Sequence, residues 1–218
     1  MFIGQIAQSG FRAASPQAGV ELRQALREAP AVRLERFVEP SMLDAWSRAV
    51  EAAPFVTRVH HDAAYWGGPP PTDLVMTDET VRARLVFSFN DPALLEIVQT
   101  GADEGAIGSF LGGVSRSGPR AGQLYPWHND MDGNKLIALS LSLGREPYAG
   151  GHLQMRDAHA ETILFDDAHA TCGDAILFRL SYDLKHRVLD VESGPARTVF
   201  VGWFRREPTF ADWLRSTR

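Results

Sequence analysis

The chain has 218 residues, 44 % hydrophobic and 22 % charged, with a formal net charge of −5 and a pI near 5.8. That composition excludes a disordered polymer, and a chain this long buries a core without disulfide staples. The acidic balance gives no basic footprint for nucleic acid, and no run approaches the ~18 apolar residues of a membrane span.

Cys172 is the single cysteine, so no internal disulfide can form and a reducing, cytoplasmic setting is expected. The opening "MFIGQIAQSGFRAA" lacks a basic start followed by a sustained apolar run, so no signal peptide is expected.

In chain order, "SPQAGVELRQALREA" (15–29) predicts a helix with Ser15 as N-cap and Pro16 at its first position. "AVRLERFV" (31–38) reads as a strand. "PSMLDAWSRAVEAA" predicts a second helix, capped by Ser41, with Met42, Leu43, Trp46 and Val50 as its apolar stripe. Residues 54–79 resist assignment, because "YWGGPPPTD" is rich in proline and glycine. That stretch, with His60 and His61 before it, reads either as an ordinary loop or as a lid over a substrate. "NDPALLEIVQTG" (90–101) predicts a third helix, opened by Asp91 and Pro92 and closed by Gly101.

From Ile107 the character changes. Eight short strand-like runs follow, separated by turn residues: "GSFLGGVS", "QLYPWH", "KLIALSLSL", "GGHLQMRD", "ETILFDD", "DAILFRL", "HRVLDVE" and "RTVFVGWFR". Such spacing predicts an antiparallel sandwich or barrel. The expected fold is mainly β with flanking helices: a jelly-roll core over 107–206, an N-terminal helical and strand segment over 1–106 packed on it, and a tail over 207–218, all in one domain.

The stretch "LYPWHNDMDG" (124–133) sets His128 and Asp130 two positions apart. On a strand, residues i and i+2 point to one face, so an imidazole and a carboxylate there can share one metal ion. The bland alternative is two polar residues at a strand end. His186, in "LKHRVLDV", is the best third ligand, and two histidines with one carboxylate leave three coordination positions open, as in non-haem iron(II) oxygenases. Arg197 opens the next strand after "ESGPA" and could capture a carboxylate bidentately; standing alone it would read as a surface residue.

With these residues in place, the chain resembles the iron(II)- and 2-oxoglutarate-dependent dioxygenases, in particular the prolyl 4-hydroxylase-like branch. The family's His-x-Asp, distal His and following Arg or Lys match His128, Asp130, His186 and Arg197. Its Gly-Gly before a strand, Gly-Asp before an apolar strand and closing Trp-Phe match "YAGGHLQM", "CGDAILF" and "VGWF". The resemblance covers about residues 108–206, and "LERFVEPSMLDAWSRAV" is similar to the family's lead-in.

The resemblance implies a double-stranded β-helix core, Fe(II) held by His128, Asp130 and His186, and 2-oxoglutarate with its far carboxylate on Arg197. Ascorbate is admissible as an accessory reductant. The implied reaction consumes O2 and hydroxylates a C–H bond of a peptide, amino acid or small molecule, releasing succinate and CO2. Because Asp130 is present where related halogenases carry a small residue, hydroxylation is the implied outcome.

The chain also departs from the family. The tyrosine that many members carry ahead of the first histidine is missing from "SRSGPRAG", and Tyr125 is the nearest. The strand after the metal pair offers Ser140 and Ser142 instead of a hydroxyl-bearing aromatic, so Tyr125 and Ser142 are the candidate further cosubstrate contacts. His152 reads as a strand-surface residue, His159 and His169 as exposed, and Trp127 and Trp203 as core. Two rival classes stay open: a cupin-like metalloenzyme without 2-oxoglutarate, and a non-catalytic jelly-roll binding module. Oligomeric state is not legible.

Overall fold

The computed structural model describes residues 1–59, 72–103, 105–119, 125–131, 134–168 and 171–216. His60, His61, the "GGPPP" stretch with its candidate lid, and His169 lie outside them.

The elements run β1 (Gly4–Ala7), β2 (Gly10–Ala13), α1 (Ala18–Glu28), β3 (Ala31–Leu34), α2 (Pro40–Ala52), β4 (Phe55–Val59), β5 (Thr72–Met76), α3 (Glu79–Phe89) and α4 (Pro92–Ala102). The second half is β6 (Ser109–Ser117), β7 (Lys135–Ser142), β8 (Ala149–Gly150), β9 (Leu153–Asp157), β10 (Ile163–Asp167), β11 (Ala175–Arg179), β12 (Leu184–Val188), β13 (Val191–Ser193), β14 (Arg197–Arg205) and α5 (Phe210–Ser216).

A seven-stranded antiparallel sheet, ordered β3-β11-β7-β14-β6-β5-β4, forms the floor of the molecule. Above it lies a smaller sheet, β10-β9-β12, with the pair β13-β8 beside it. The N-terminal segment is thus woven into the main sheet at both edges, through β3 on one side and β4 and β5 on the other.

The two faces of the floor differ because the strands alternate. On β7, Ile137, Leu139 and Leu141 point one way and join the core that the helices cover. The residues between them are small or polar: Ala138, Ser140 and Ser142. β14 repeats the pattern, sending Phe200 and Phe204 into the helix-covered core. There Phe89 of α3 stacks on Phe110 at 4.9 Å and meets Phe200 at 5.0 Å, and Phe110 meets Phe204 at 4.8 Å. Burying one such ring contributes roughly 2–3 kcal/mol from area alone.

Several sequence expectations need correction. α1 begins at Ala18 after a turn, and its N-cap is Gln17; Ser15 Oγ accepts from Gln17 N at 3.1 Å instead of capping the helix. α2 starts with Pro40 at its first position and Glu39 as N-cap, so Ser41 lies inside it. Gly101 does not end α4. It sits within the helix, where an added Cβ would come 2.5 Å from Leu22 of α1, and Asp103 takes the left-handed cap at φ 60. "HRVLDVE" splits into β12 and β13, and the described part of "QLYPWH" forms no strand beyond one bridge at His128. β1, β2, β4, β5 and α3 were not anticipated. The Asp91 cap of α4 holds, accepting from Ala93 N at 2.9 Å.

The Gly-Asp motif has a structural use. Asp174 accepts from Arg33 Nε at 3.0 Å and from the Arg36 backbone N–H at 2.9 Å, tying the edge strand β3 to β11.

Candidate active site

His128 and His186 are joined by an isolated antiparallel bridge. His186 N donates to His128 O at 2.7 Å and His128 N donates to His186 O at 3.1 Å. The bridge brings the two rings to 4.3 Å between centroids. His186 is buried, with the Phe178 ring edge-on at 4.9 Å on another side. His128 Nδ1 lies 2.8 Å from the Pro126 carbonyl oxygen. A carbonyl only accepts, so Nδ1 carries the proton and Nε2 keeps its lone pair for the site.

Asp130 reaches the pair by a different route from the strand alternation expected from sequence. Its backbone is left-handed, with φ 53, and Asn129 Oδ1 accepts from Met131 N at 3.1 Å in a tight side-chain-closed turn. The turn swings the carboxylate back under the imidazoles. Oδ1 lies 3.7 Å from His128 Nε2 and Oδ2 lies 3.5 Å from His186 Nε2. One ligand atom from each of the three residues fits within 4.8 Å of the others. Burial works against the Asp130 charge, but His186, His128 and Lys135 outweigh it and hold the carboxyl well below the usual carboxylate range.

These groups open into a cavity of about 360 Å³ between the two sheets, and Arg197, Tyr125, Ser140, Lys135 and Trp203 also line it. That volume suits a small ligand. Arg197 is 5 % exposed, and its Nε has no hydrogen-bond partner among the described residues. Burial lowers its pKa, while the Tyr148 hydroxyl, which it hydrogen-bonds, acts the other way, as does the nearby Tyr125. Tyr148 in turn donates to the Ala168 carbonyl at 3.3 Å.

Gly151 makes this seat possible. It sits at φ 65, and a Cβ there would come 2.9 Å from Tyr148 and 3.0 Å from Arg197 Cδ. The Gly-Gly of the sequence is therefore room for the arginine.

Tyr125 lines the cavity with its hydroxyl on Asp73, which pushes its pKa up together with the larger effect of burial. Asp73 is clamped by Arg58 through two bonds of 3.1 and 2.7 Å. Ser140 lines the cavity, and its buried Oγ has no partner among the described residues. Ser142 lies farther along the same row. It is buried, also with an unpartnered Oγ, and is not among the cavity's lining residues.

Other predicted positions fall elsewhere. His152 is half-buried and pairs with Asp166 at 2.5 Å, and His159 is exposed and faces Asp183 at 3.3 Å. Neither tryptophan is simple core. The Trp127 ring is met by the guanidiniums of Arg156 and Arg187 at 4.6 and 4.3 Å. Trp203 donates its indole N–H to Asp130 Oδ2 at 3.0 Å, under the Lys135 ammonium at 4.2 Å. Its place in the closing "GWF", six positions after Arg197, was the available signal.

Residues 112–205 match the model of the 2OG-Fe(II) oxygenase superfamily. The name of that superfamily calls for Fe(II) and 2-oxoglutarate. The residues present fit both groups: two imidazoles and a carboxylate with no thiolate, and a buried guanidinium and serine with unpartnered polar atoms in the same cavity.

No curated protein matches the chain. Solved structures similar to it include a prolyl-4-hydroxylase from Pseudomonas putida (19 % identity, TM-score 0.58, covering 87 % of this chain and 95 % of that one). A 2OG-Fe(II) oxygenase family oxidoreductase from Burkholderia pseudomallei has 15 % identity and a TM-score of 0.64, with coverage of 91 % and 95 %. A prolyl hydroxylase from Trichoplax adhaerens, in complex with a hypoxia inducible factor oxygen degradation domain peptide fragment, has 13 % identity and a TM-score of 0.62, with coverage of 87 % and 90 %. These likenesses carry the jelly-roll fold. No described helix is long and apolar enough to cross a membrane.

Proposed function

We propose that the chain is an Fe(II)- and 2-oxoglutarate-dependent oxygenase that hydroxylates a C–H bond of a peptide, amino acid or small molecule, with His128, Asp130 and His186 as metal ligands and Arg197 as the anchor for the far carboxylate of 2-oxoglutarate. The carrying observation is that the three ligand atoms and the buried Arg197 guanidinium share one cavity.

When bound, iron and 2-oxoglutarate supply the oxidising chemistry, with succinate and CO2 as coproducts and one oxygen atom of O2 entering a substrate C–H bond. The protein's part is to bind, orient and exclude water. His128 and His186 present imidazole nitrogens from a fixed bridge. Arg197, held from behind by Tyr148, fixes the cosubstrate's reach, and Ser140 replaces Ser142 as the hydroxyl best placed to meet it. Tyr125 keeps its hydroxyl on Asp73 and serves as a wall of the cavity.

Arg197 disfavours the cupin-like reading, which has no need of a buried anion anchor beside the metal. The segment 1–106 acts as a sleeve on the 107–206 core, and the half-buried Cys172 suits a reducing, cytoplasmic setting. A peptide substrate is favoured by the fold shared with a peptide-binding prolyl hydroxylase.

The test is succinate release with Fe(II), O2 and 2-oxoglutarate across a panel of proline-containing peptides and free amino acids. Substrate-stimulated succinate that disappears in His128→Ala supports the reading. No stimulation by any member, with wild-type protein that binds 2-oxoglutarate normally, removes the substrate assignment.

A further inference from the structure

Asp130 offers two oxygens, and the structure treats them differently. Oδ2 takes the Trp203 indole N–H at 3.0 Å while lying 3.5 Å from His186 Nε2, whereas Oδ1 faces His128 Nε2 at 3.7 Å. We propose that Trp203 is a positioning residue whose N–H ties down Oδ2, so that Asp130 meets the metal through Oδ1 alone. The proposal rests on the metal-site reading given above.

Three observations support it. Asp130 lies on a turn outside the sheets, with a left-handed backbone, so no strand ladder fixes the rotation of its carboxylate. Trp203 does lie in a ladder: β14 pairs it with Leu111 of β6 on one side and Ala138 of β7 on the other. The indole is also held across its face by the Lys135 ammonium at 4.2 Å. The rigid partner is therefore the tryptophan, and the group it restrains is the carboxylate.

The consequence follows from the coordination count. A carboxylate free to turn can bind an ion with one oxygen or two. A second oxygen would occupy one of the positions that a two-histidine, one-carboxylate site keeps open for cosubstrate and O2. A donor on Oδ2 opposes that. Trp203 touches neither substrate nor cosubstrate in this role; it acts through Asp130.

The test uses Co(II) alone as probe on the full chain. Trp203→Phe keeps an aromatic ring beneath Lys135 and removes the N–H. Trp203→3-benzothienylalanine keeps the indole shape, which guards against a variant that fails to fold. Both are expected to bind Co(II) ten- to hundredfold more weakly, with an altered cobalt visible spectrum and an unchanged apo-protein melting temperature for the isostere. Wild-type affinity and spectrum in the isostere would overturn the positioning role while leaving the metal site standing. Absence of any His128-dependent Co(II) binding in the wild type would overturn both.

Discussion

His128 and His186 exchange both of their backbone hydrogen bonds, at 2.7 and 3.1 Å, although a long stretch of chain separates them. That single bridge sets their rings 4.3 Å apart before any ion arrives. The cluster is thus preorganised by main chain, and Asp130 is the one member delivered by a turn.

A preorganised site should couple metal binding to stability. Co(II) at a hundred times its Kd is expected to stabilise the fold by about 2.7 kcal/mol. The gain, read as a rise in Tm, should vanish in His186→Ala and Asp130→Ala. A metal-dependent rise that survives both substitutions would place the ion elsewhere.

Arg197 is buried with an unpartnered Nε. Arg197→Ala should weaken 2-oxoglutarate binding by about 2 kcal/mol or more, at least about thirtyfold in Kd, and leave Co(II) affinity near wild type. Titration of the cobalt-loaded protein with 2-oxoglutarate measures both.

Gly151→Ala should reproduce part of that defect. Its Cβ would press on Arg197 Cδ and Tyr148 from a left-handed backbone position. The expected signature is weaker 2-oxoglutarate binding with the metal site intact, and a Kd equal to wild type would show that the seat of Arg197 tolerates the methyl.

Phe110 lies among Phe89, Phe200 and Phe204 and is fully buried. Phe110→Ala should cost about 3–5 kcal/mol in denaturant unfolding, with no direct effect on His128, Asp130 and His186, none of which belongs to the seven-stranded sheet.

Burial pushes the Cys172 thiol above its ordinary range, against the smaller opposing effects of Ser47 and Arg145. The folded chain therefore holds the thiol proton more tightly than the unfolded chain. Stability linked to this group is fully present below the unfolded thiol pKa and is lost as pH rises through the folded one. Alkylation by iodoacetamide at pH 8 should be slower in the native protein than in urea, and equal rates would contradict this.

The strands of the core were legible because "KLIALSLSL" and "RTVFVGWFR" alternate between a face that packs on helices and one that does not. The convergence of His128, Asp130 and His186 was legible because residue type and order carry it. The route by which Asp130 arrives was not: a left-handed turn closed by Asn129 leaves no periodic trace. Helix starts at Ser15 and Ser41 were misplaced because a serine near a proline can close a turn or lie inside the first helical turn as readily as cap it. β4 and β5 were obscured because proline and glycine between them mask a pairing that joins Phe55 to Met76. Trp203 read as core because its partner, Asp130, comes from a distant turn, a contact that apolar patterning does not encode.

The central claim is one iron-binding triad and one 2-oxoglutarate anchor in a single cavity. Its most direct test is anaerobic addition of Fe(II) and 2-oxoglutarate with visible absorption recorded. The account predicts a charge-transfer band that requires both additions, is absent in His186→Ala, and in Arg197→Ala needs far more 2-oxoglutarate to appear. Iron binding with no spectral response to 2-oxoglutarate, or a band undiminished in His186→Ala, would contradict it.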